Sequence, residues 1–242
     1  MIIEGINTVI ETLESGATVE KVAVQKGNFS TRVNKAVSLA RERGVRVSFE
    51  EKKRLDELSA TGRHQGIIAF VTEFSYTSLE DILLANKKKG KPLLLVLLDG
   101  IQDPHNLGAI LRSADASGAD GVVIPKHRSV TVTETVIKVS AGSASHVPVA
   151  KEGNINDVIR KLKNNFVNVY GADMGGESVY TTDLTKDTAI IIGGEGFGIS
   201  HLTANLADKK ISLPQLGKVN SLNASVATGI LLYEAVRQRE GK

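Results

Sequence analysis

The chain has 242 residues, enough for one large or two modest domains, and its 41% hydrophobic and 24% charged residues suit a globular protein with a real core. It contains no cysteine, which excludes disulfides, thiolate nucleophiles and cysteine-ligated zinc or iron–sulfur centres. The net charge of +3 lies in the first part, where residues 1–91 hold 15 Lys/Arg against 12 Asp/Glu while residues 92–242 hold 15 of each; this balance permits an RNA partner and does not require one.

Ile6, Val9, Ile10 and Leu13 recur at the spacing of one helix face and predict a first helix. Lys21–Gln25 reads as a short strand, Asn34–Arg43 as a helix closed by Gly44, and Val45–Phe49 as an alternating strand. Lys52–Leu58 suits one or two helical turns, and Gly66–Val71 a buried strand. These elements predict a small α/β domain over residues 1–75. Residues 76–91, with a short helical pattern at Leu79–Ala85 and then Asn86-Lys-Lys-Lys-Gly-Lys-Pro92, read as a linker.

From residue 92 to 242 the rhythm is strand, polar loop, helix. Leu93–Leu98, Gly121–Ile124, Asn168–Gly171, Ala189–Ile192 and Lys210–Leu213 are short apolar runs, as expected of parallel strands buried on both faces. Helical patterns at Leu107–Ser117, Thr133–Ala141, Ile155–Asn164 and His201–Ala207 lie between them, so the fold class is α/β with a parallel sheet. The five histidines are scattered with no helical pairing, so no metal site is expected. The N-terminus shows no secretory pattern, and Leu93–Leu98 is too short to span a bilayer; a cytoplasmic protein with no membrane partner is the expectation.

Three loops that follow strands collect polar groups. After Leu98, Asp99 to Arg112 places Asn106 as an N-cap, Gly108 at a close backbone approach, and Arg112 in the second helical turn, where its fork can meet a phosphate or a carboxylate. After Ile192, the run Gly193-Gly-Glu-Gly-Phe-Gly198 offers backbone amides to a ligand, with Glu195 set among glycines. It matches neither the dinucleotide fingerprint nor the P-loop. After Lys210–Leu213, Asn220, Ser221 and Asn223 crowd the start of an apolar helix, with Ser221 read as its N-cap. No nucleophile elbow and no carboxylate cluster is present, which disfavours hydrolysis and two-metal chemistry.

Asp103–Pro125, Ile191–Ser200 and Ile211–Ala235 together resemble, in order, the three motifs of the SpoU (TrmH-like) RNA ribose 2′-O-methyltransferases of the SPOUT superfamily. The first part, including Gly62-Arg-His-Gln-Gly66, resembles the RNA substrate-binding domain of the bacterial 23S rRNA guanosine-2′-O-methyltransferase group. The resemblance implies S-adenosylmethionine as cofactor, a homodimer, and a deep trefoil knot in a catalytic domain over residues 92–242. It assigns Asn106, Arg112, Glu195, Ser221 and Asn223 to catalysis or substrate positioning, with Glu195 and Asn223 holding Arg112 and the ribose. It assigns Gly193, Gly194, Gly196, Leu213 and Leu222 to the cofactor. The implied substrate is a guanosine ribose in 23S rRNA. A tRNA ribose, small-molecule methyl transfer, or a non-catalytic RNA-binding assembly factor on the same fold are the alternatives.

Overall fold

The computed structural model describes residues 1–15, 17–28, 30–72, 74–218 and 221–241. They form two compact units, Met1–Ser75 and Tyr76–Lys242.

In the first unit the elements are β1 (Ile2–Glu4), α1 (Ile6–Glu14), β2 (Thr18–Gln25), α2 (Thr31–Glu42), β3 (Arg46–Glu50), α3 (Lys52–Leu58) and β4 (Ile67–Thr72). The sheet order is β1-β4-β2-β3, with β4 antiparallel to both neighbours and β2 parallel to β3. The apolar face of α1 (Val9, Ile10, Leu13) and that of α2 (Val33, Ala36, Val37, Ala40) bury against Val22, Val24, Ile67 and Ala69. Leu55 of α3 packs on the other sheet face with Ala23 and Ile68.

Parallel β1, β2 and β3 bring their carboxyl ends to the edge from which β4 starts, and there the segment Ser59–Gly66 is tied down. Glu4 accepts hydrogen bonds from the Ser59 hydroxyl (2.6 Å), the Ala60 amide (2.6 Å) and the Thr61 hydroxyl (2.8 Å). These hold its carboxyl down at about 2, the Ser59 hydroxyl being the largest cause. His64 is buried: its Nδ1 accepts from the Gly66 amide (2.9 Å), which leaves Nε2 to donate to Asp56 (2.8 Å). Arg63, between these anchors, is exposed and makes no side-chain hydrogen bond or ion pair among the described residues.

The second unit begins with α4 (Leu79–Lys89), so residues 76–91, expected as a linker, are folded into it. Ser78 caps the helix by accepting from Asp81 N, Gly90 closes it in the left-handed conformation, and Lys87–Lys89 lie in its last turn, where the helix dipole favours cations. Leu79 and Ile82 join the main core, and Lys89 pairs with the buried Asp120 at 2.9 Å. The helical pattern expected at Leu79–Ala85 is the start of this helix, which continues through the lysine run to Lys89.

The remaining elements are β5 (Leu94–Asp99), α5 (Pro104–Ala116), β6 (Gly121–Pro125), α6 (Glu134–Val139), β7 (Val149–Glu152), α7 (Ile155–Asn164), β8 (Asn168–Ser178), β9 (Thr188–Gly193), α8 (His201–Leu206), β10 (Lys209–Ser212) and α9 (Ala224–Arg239). The six strands run in the order β10-β8-β9-β5-β6-β7, and every pairing is parallel. Chain direction across the sheet reverses between neighbours β5 and β9: β5 leads to β6 and β7 on one side, whereas β9 leads to β10 beyond β8. A reversal of this kind opens a crevice beyond the carboxyl ends of the two strands. Among the described residues no helix is long and apolar enough to cross a membrane.

Because the Glu4 carboxyl is depressed, its stabilisation is complete above the ordinary carboxylate value of 4.5 and is lost as pH falls toward about 2. Glu4→Gln should speed amide exchange at Ala60 and Thr61 near pH 6 (about that value, well above both limits). The difference from the parent should vanish as the solution is acidified through that window, as read by hydrogen exchange on the full chain.

Candidate active site

The crevice is set by β5 and β9. Their register runs from Leu94 opposite Thr188 to Asp99 opposite Gly193, and one further bond, Gly194 N–H to Asp99 O at 2.9 Å, carries the ladder one residue past the end of β9. A Cβ on Gly194 would fall on the Gly100 carbonyl, and one on Gly193 on the backbone of Gly198 and Ile199. Both glycines are therefore required by the close approach of the protein's own backbone. Gly198 N–H donates to Gly194 O at 3.0 Å, and Gly196 and Gly198 turn the loop at φ 86° and 64°. Asp99 also accepts from Ser200 N at 2.9 Å, bracing the loop from the far side.

Three predicted site residues meet in one hydrogen-bonded corner. Asn106 Nδ2 donates to Glu195 Oε1 at 2.9 Å, Asn223 Nδ2 donates to Asn106 Oδ1 at 2.9 Å, and the same Nδ2 donates to Glu195 Oε1 at 3.0 Å. Asn106 lies buried behind the other two. Glu195 Oε2 accepts no bond among the described residues, so one carboxylate oxygen of a fixed side chain remains available.

The caps differ from those read in the sequence. Asp103 caps α5 by accepting from His105 N, and Pro104 takes the first helical position, where its missing N–H costs nothing. Asn106, expected as the cap, is thus inside the first turn, with its side chain released for the corner. Asn223, and not Ser221, caps α9, its Oδ1 accepting from the amides of Ser225 and Val226. Those amides fix which end of the Asn223 amide faces Glu195. Ser221 is exposed on the preceding turn; Asn220 lies outside the described residues. Gly108 makes the expected close approach: a Cβ there would lie 2.7 Å from Val139 of α6.

Arg112 stands apart. It is exposed, makes no hydrogen bond or ion pair among the described residues, and does not touch Glu195 or Asn223, contrary to the expectation that they hold it. Six residues along α5 from Asn106, it is about 9 Å further down the helix and on another face.

Beside the corner lies a cavity of about 490 Å³. Glu195, Ser221 and Asn223 line it, as do all five residues assigned to the cofactor: Gly193, Gly194, Gly196, Leu213 and Leu222. Its volume and mostly apolar walls with a few polar groups match a small-molecule site. Sequence reasoning missed one wall, Ala172, Asp173 and Met174. These belong to β8, which continues past the expected end at Gly171 to Ser178. There the β10 pairing jumps from Lys210 opposite Gly171 to Ile211 opposite Glu177. The one signal for the extension is the small, glycine-rich run after the apolar strand. Among the described residues no group of three His, Asp or Glu is placed to hold a metal ion.

The SpoU rRNA methylase family model matches residues 93–233, and a second model, RNA 2′-O ribose methyltransferase substrate binding, matches residues 2–77. The chain belongs to the SpoU family of RNA methyltransferases. It is 39% identical to YacO of Bacillus subtilis (strain 168), a protein assigned to the TrmH family of tRNA/rRNA methyltransferases, over 97% of this chain and 94% of that one. The crystal structure of the SpoU methyltransferase AviRb from Streptomyces viridochromogenes, in complex with the cofactor AdoMet, superposes with a TM-score of 0.64 at 26% identity, covering 100% of this chain and 91% of that one. An AdoMet-bound rRNA methyltransferase from Sinorhizobium meliloti gives 0.62 at 27% identity, covering 98% and 87%.

Asn223 serves the helix and the corner with opposite ends of one amide, and substitutions should separate the two. Asn223→Ala should cost about 0.5–2 kcal/mol through loss of the cap. Asn223→Asp should recover most of that, since a carboxylate caps well, yet lose methyl transfer because it cannot donate to Asn106 or Glu195. Denaturant unfolding and a transfer assay on the same preparations would read both.

Proposed function

We infer that the protein transfers the methyl group of S-adenosylmethionine to a ribose 2′-hydroxyl, that of a guanosine in 23S rRNA. The observation that carries this reading is the Asn106–Glu195–Asn223 corner opening onto the cavity at the β5–β9 crevice. The cavity fits the cofactor on the chain's own terms: its size suits an adenosyl amino acid, and its backbone-rich loops offer donors and acceptors for a base edge. Gly193, Gly194, Gly196, Leu213 and Leu222 would hold it. When bound, it supplies an electrophilic methyl carbon on a sulfonium.

What remains for the protein is to place the 2′-oxygen and to manage its charge. Glu195 Oε2 accepts the hydrogen bond of the 2′-hydroxyl, and Ser221, on the cavity wall, helps orient the ribose. Holding the reactants aligned is worth up to about 7–11 kcal/mol in ideal cases. Arg112, exposed and with no protein partner among the described residues, is a cation available to the target phosphate. It acts there as a charged donor, since a guanidinium does not ordinarily give up its proton.

The rRNA reading is favoured over tRNA by the Sinorhizobium meliloti rRNA enzyme, whose likeness extends over 98% of this chain and so includes the first unit. The first unit, matched by the substrate-binding model, supplies the RNA contact. A homodimer is supported by α9, whose Leu231, Leu232 and Ala235 are buried while Val226, Ile230 and Tyr233 form an exposed apolar stripe. A second copy of the chain is the occupant that this stripe suits.

With methyl-labelled cofactor and separate unmethylated 23S rRNA and tRNA, label should map to a guanosine 2′-oxygen of the rRNA; label on tRNA alone would replace the substrate reading. Arg112→Ala should lower transfer by roughly 10²–10³-fold while cofactor binding, measured by calorimetry, is retained. Ile230→Asp should halve the solution mass seen by light scattering; an unchanged mass would move the interface elsewhere.

A further inference from the structure

Phe197 is the one member of the glycine loop that the cavity does not use. Gly194, Glu195, Gly196 and Gly198 line the cavity, whereas Phe197 does not and is 98% exposed. Its loop is held at both ends by the bonds of Gly194 to Asp99, Gly198 to Gly194 and Ser200 to Asp99. A phenyl ring is thus carried into solvent on a braced turn, two residues from Glu195, where burial against a partner would favour it.

A lone ring is a poor seed for a protein interface, which needs about 800 Å² of contiguous surface per partner. Its chain neighbours are Glu195, Gly196, Gly198, the half-buried Ile199 and then Ser200 and His201, and the next exposed apolar side chain along the chain is Leu202, five residues on. An unpaired nucleobase is a better match. It is flat, close to the ring in size, and stacks on an aromatic face whatever its identity. The chemistry of the site places such a base here. The 2′-oxygen sits on the carbon next to the one that bears the base, so a ribose held at Glu195 brings its base within a few ångströms. That nucleotide must also leave its own stack to enter a concave site, and a new stacking partner offsets the loss.

We propose that Phe197 is a stacking platform for an unpaired base of the RNA substrate, at or beside the nucleotide whose ribose is methylated. It is a positioning residue for the reaction, and this role rests on the ribose methylation inferred above.

The chain has no tryptophan, so Phe197→Trp in the full-length protein introduces a single indole whose fluorescence reports stacking. Titration with a 23S rRNA transcript that the parent protein methylates should quench it saturably, S-adenosylmethionine alone should not, and transfer should be retained. Phe197→Ala and Phe197→Leu should each lower kcat/KM for the transcript by roughly 5- to 150-fold, with cofactor Kd and solution mass unchanged; the leucine keeps apolar bulk without a π-face. An unquenched indole, or full kcat/KM in the alanine or leucine variant, overturns the proposal. So does a loss accompanied by a fall in solution mass, which would assign Phe197 to contact with a second copy. A parent protein that transfers methyl to no RNA would bring down the functional reading itself, and this inference with it.

Discussion

The bond from Gly194 N–H to Asp99 O is where the rest of the site is decided. It extends the β5–β9 ladder one residue beyond β9 at the place where the sheet changes direction. The chain leaving β5 must turn one way into α5 and the chain leaving β9 the other way into α8, and both turns are made within reach of this bond. Only glycine at 193 and 194 lets the two backbones come so close. The same steric constraint that removes side chains there exposes main-chain groups to the cavity. Loop closure and ligand access are therefore one property of the sequence.

Asn223 joins this point to the far side of the sheet. Its amide caps α9 and closes the corner with Asn106 and Glu195, so the helix cannot begin elsewhere without opening the site. At the other end of α9, the Arg239 guanidinium donates to the carbonyls of Pro92, Leu93, Leu184 and Lys186. Burial pushes its pKa down from the ordinary value, while four carbonyl oxygens meet the donors that burial would otherwise leave unpaired. The 16 residues of α9 span about 24 Å, and polar groups hold both ends in addition to its buried face of Ala224, Leu231, Leu232 and Ala235. That arrangement frees its outer face to be apolar as well.

The alternation of apolar strands and helices was legible because parallel strands buried on both faces are apolar throughout. Elements whose existence depends on a distant partner were not. β1, with Ile2 opposite Phe70, and β7, paired to β6, are too short to carry a pattern of their own. The second half of β8 is polar and glycine-rich, and β10 is what keeps it extended: a Cβ on Gly176 would lie 2.6 Å from the Lys210 backbone. The site was legible as a set of residues, and less so as a set of roles. Several polar residues near a helix start can each serve as its cap, and tertiary bonds choose among them. Asp103 wins at α5, where Pro104 fixes the first turn, and Asn223 wins at α9, where the other end of its amide also bonds Asn106 and Glu195.

The isolation of Arg112 follows from the same division. A carboxylate bonded by two amides is fixed in place at little electrostatic cost, because neutral donors orient Glu195 without cancelling its charge. Had Arg112 been the group holding Glu195, the pair would have neutralised itself, and neither charge would have been left for a substrate. Keeping the carboxylate among asparagines and the guanidinium exposed on another face of α5 leaves neither charge spent on the other. The preorganised part of the site is then the neutral scaffold of Asn106 and Asn223, and under the function proposed above the Arg112 charge is kept free of partners for the substrate.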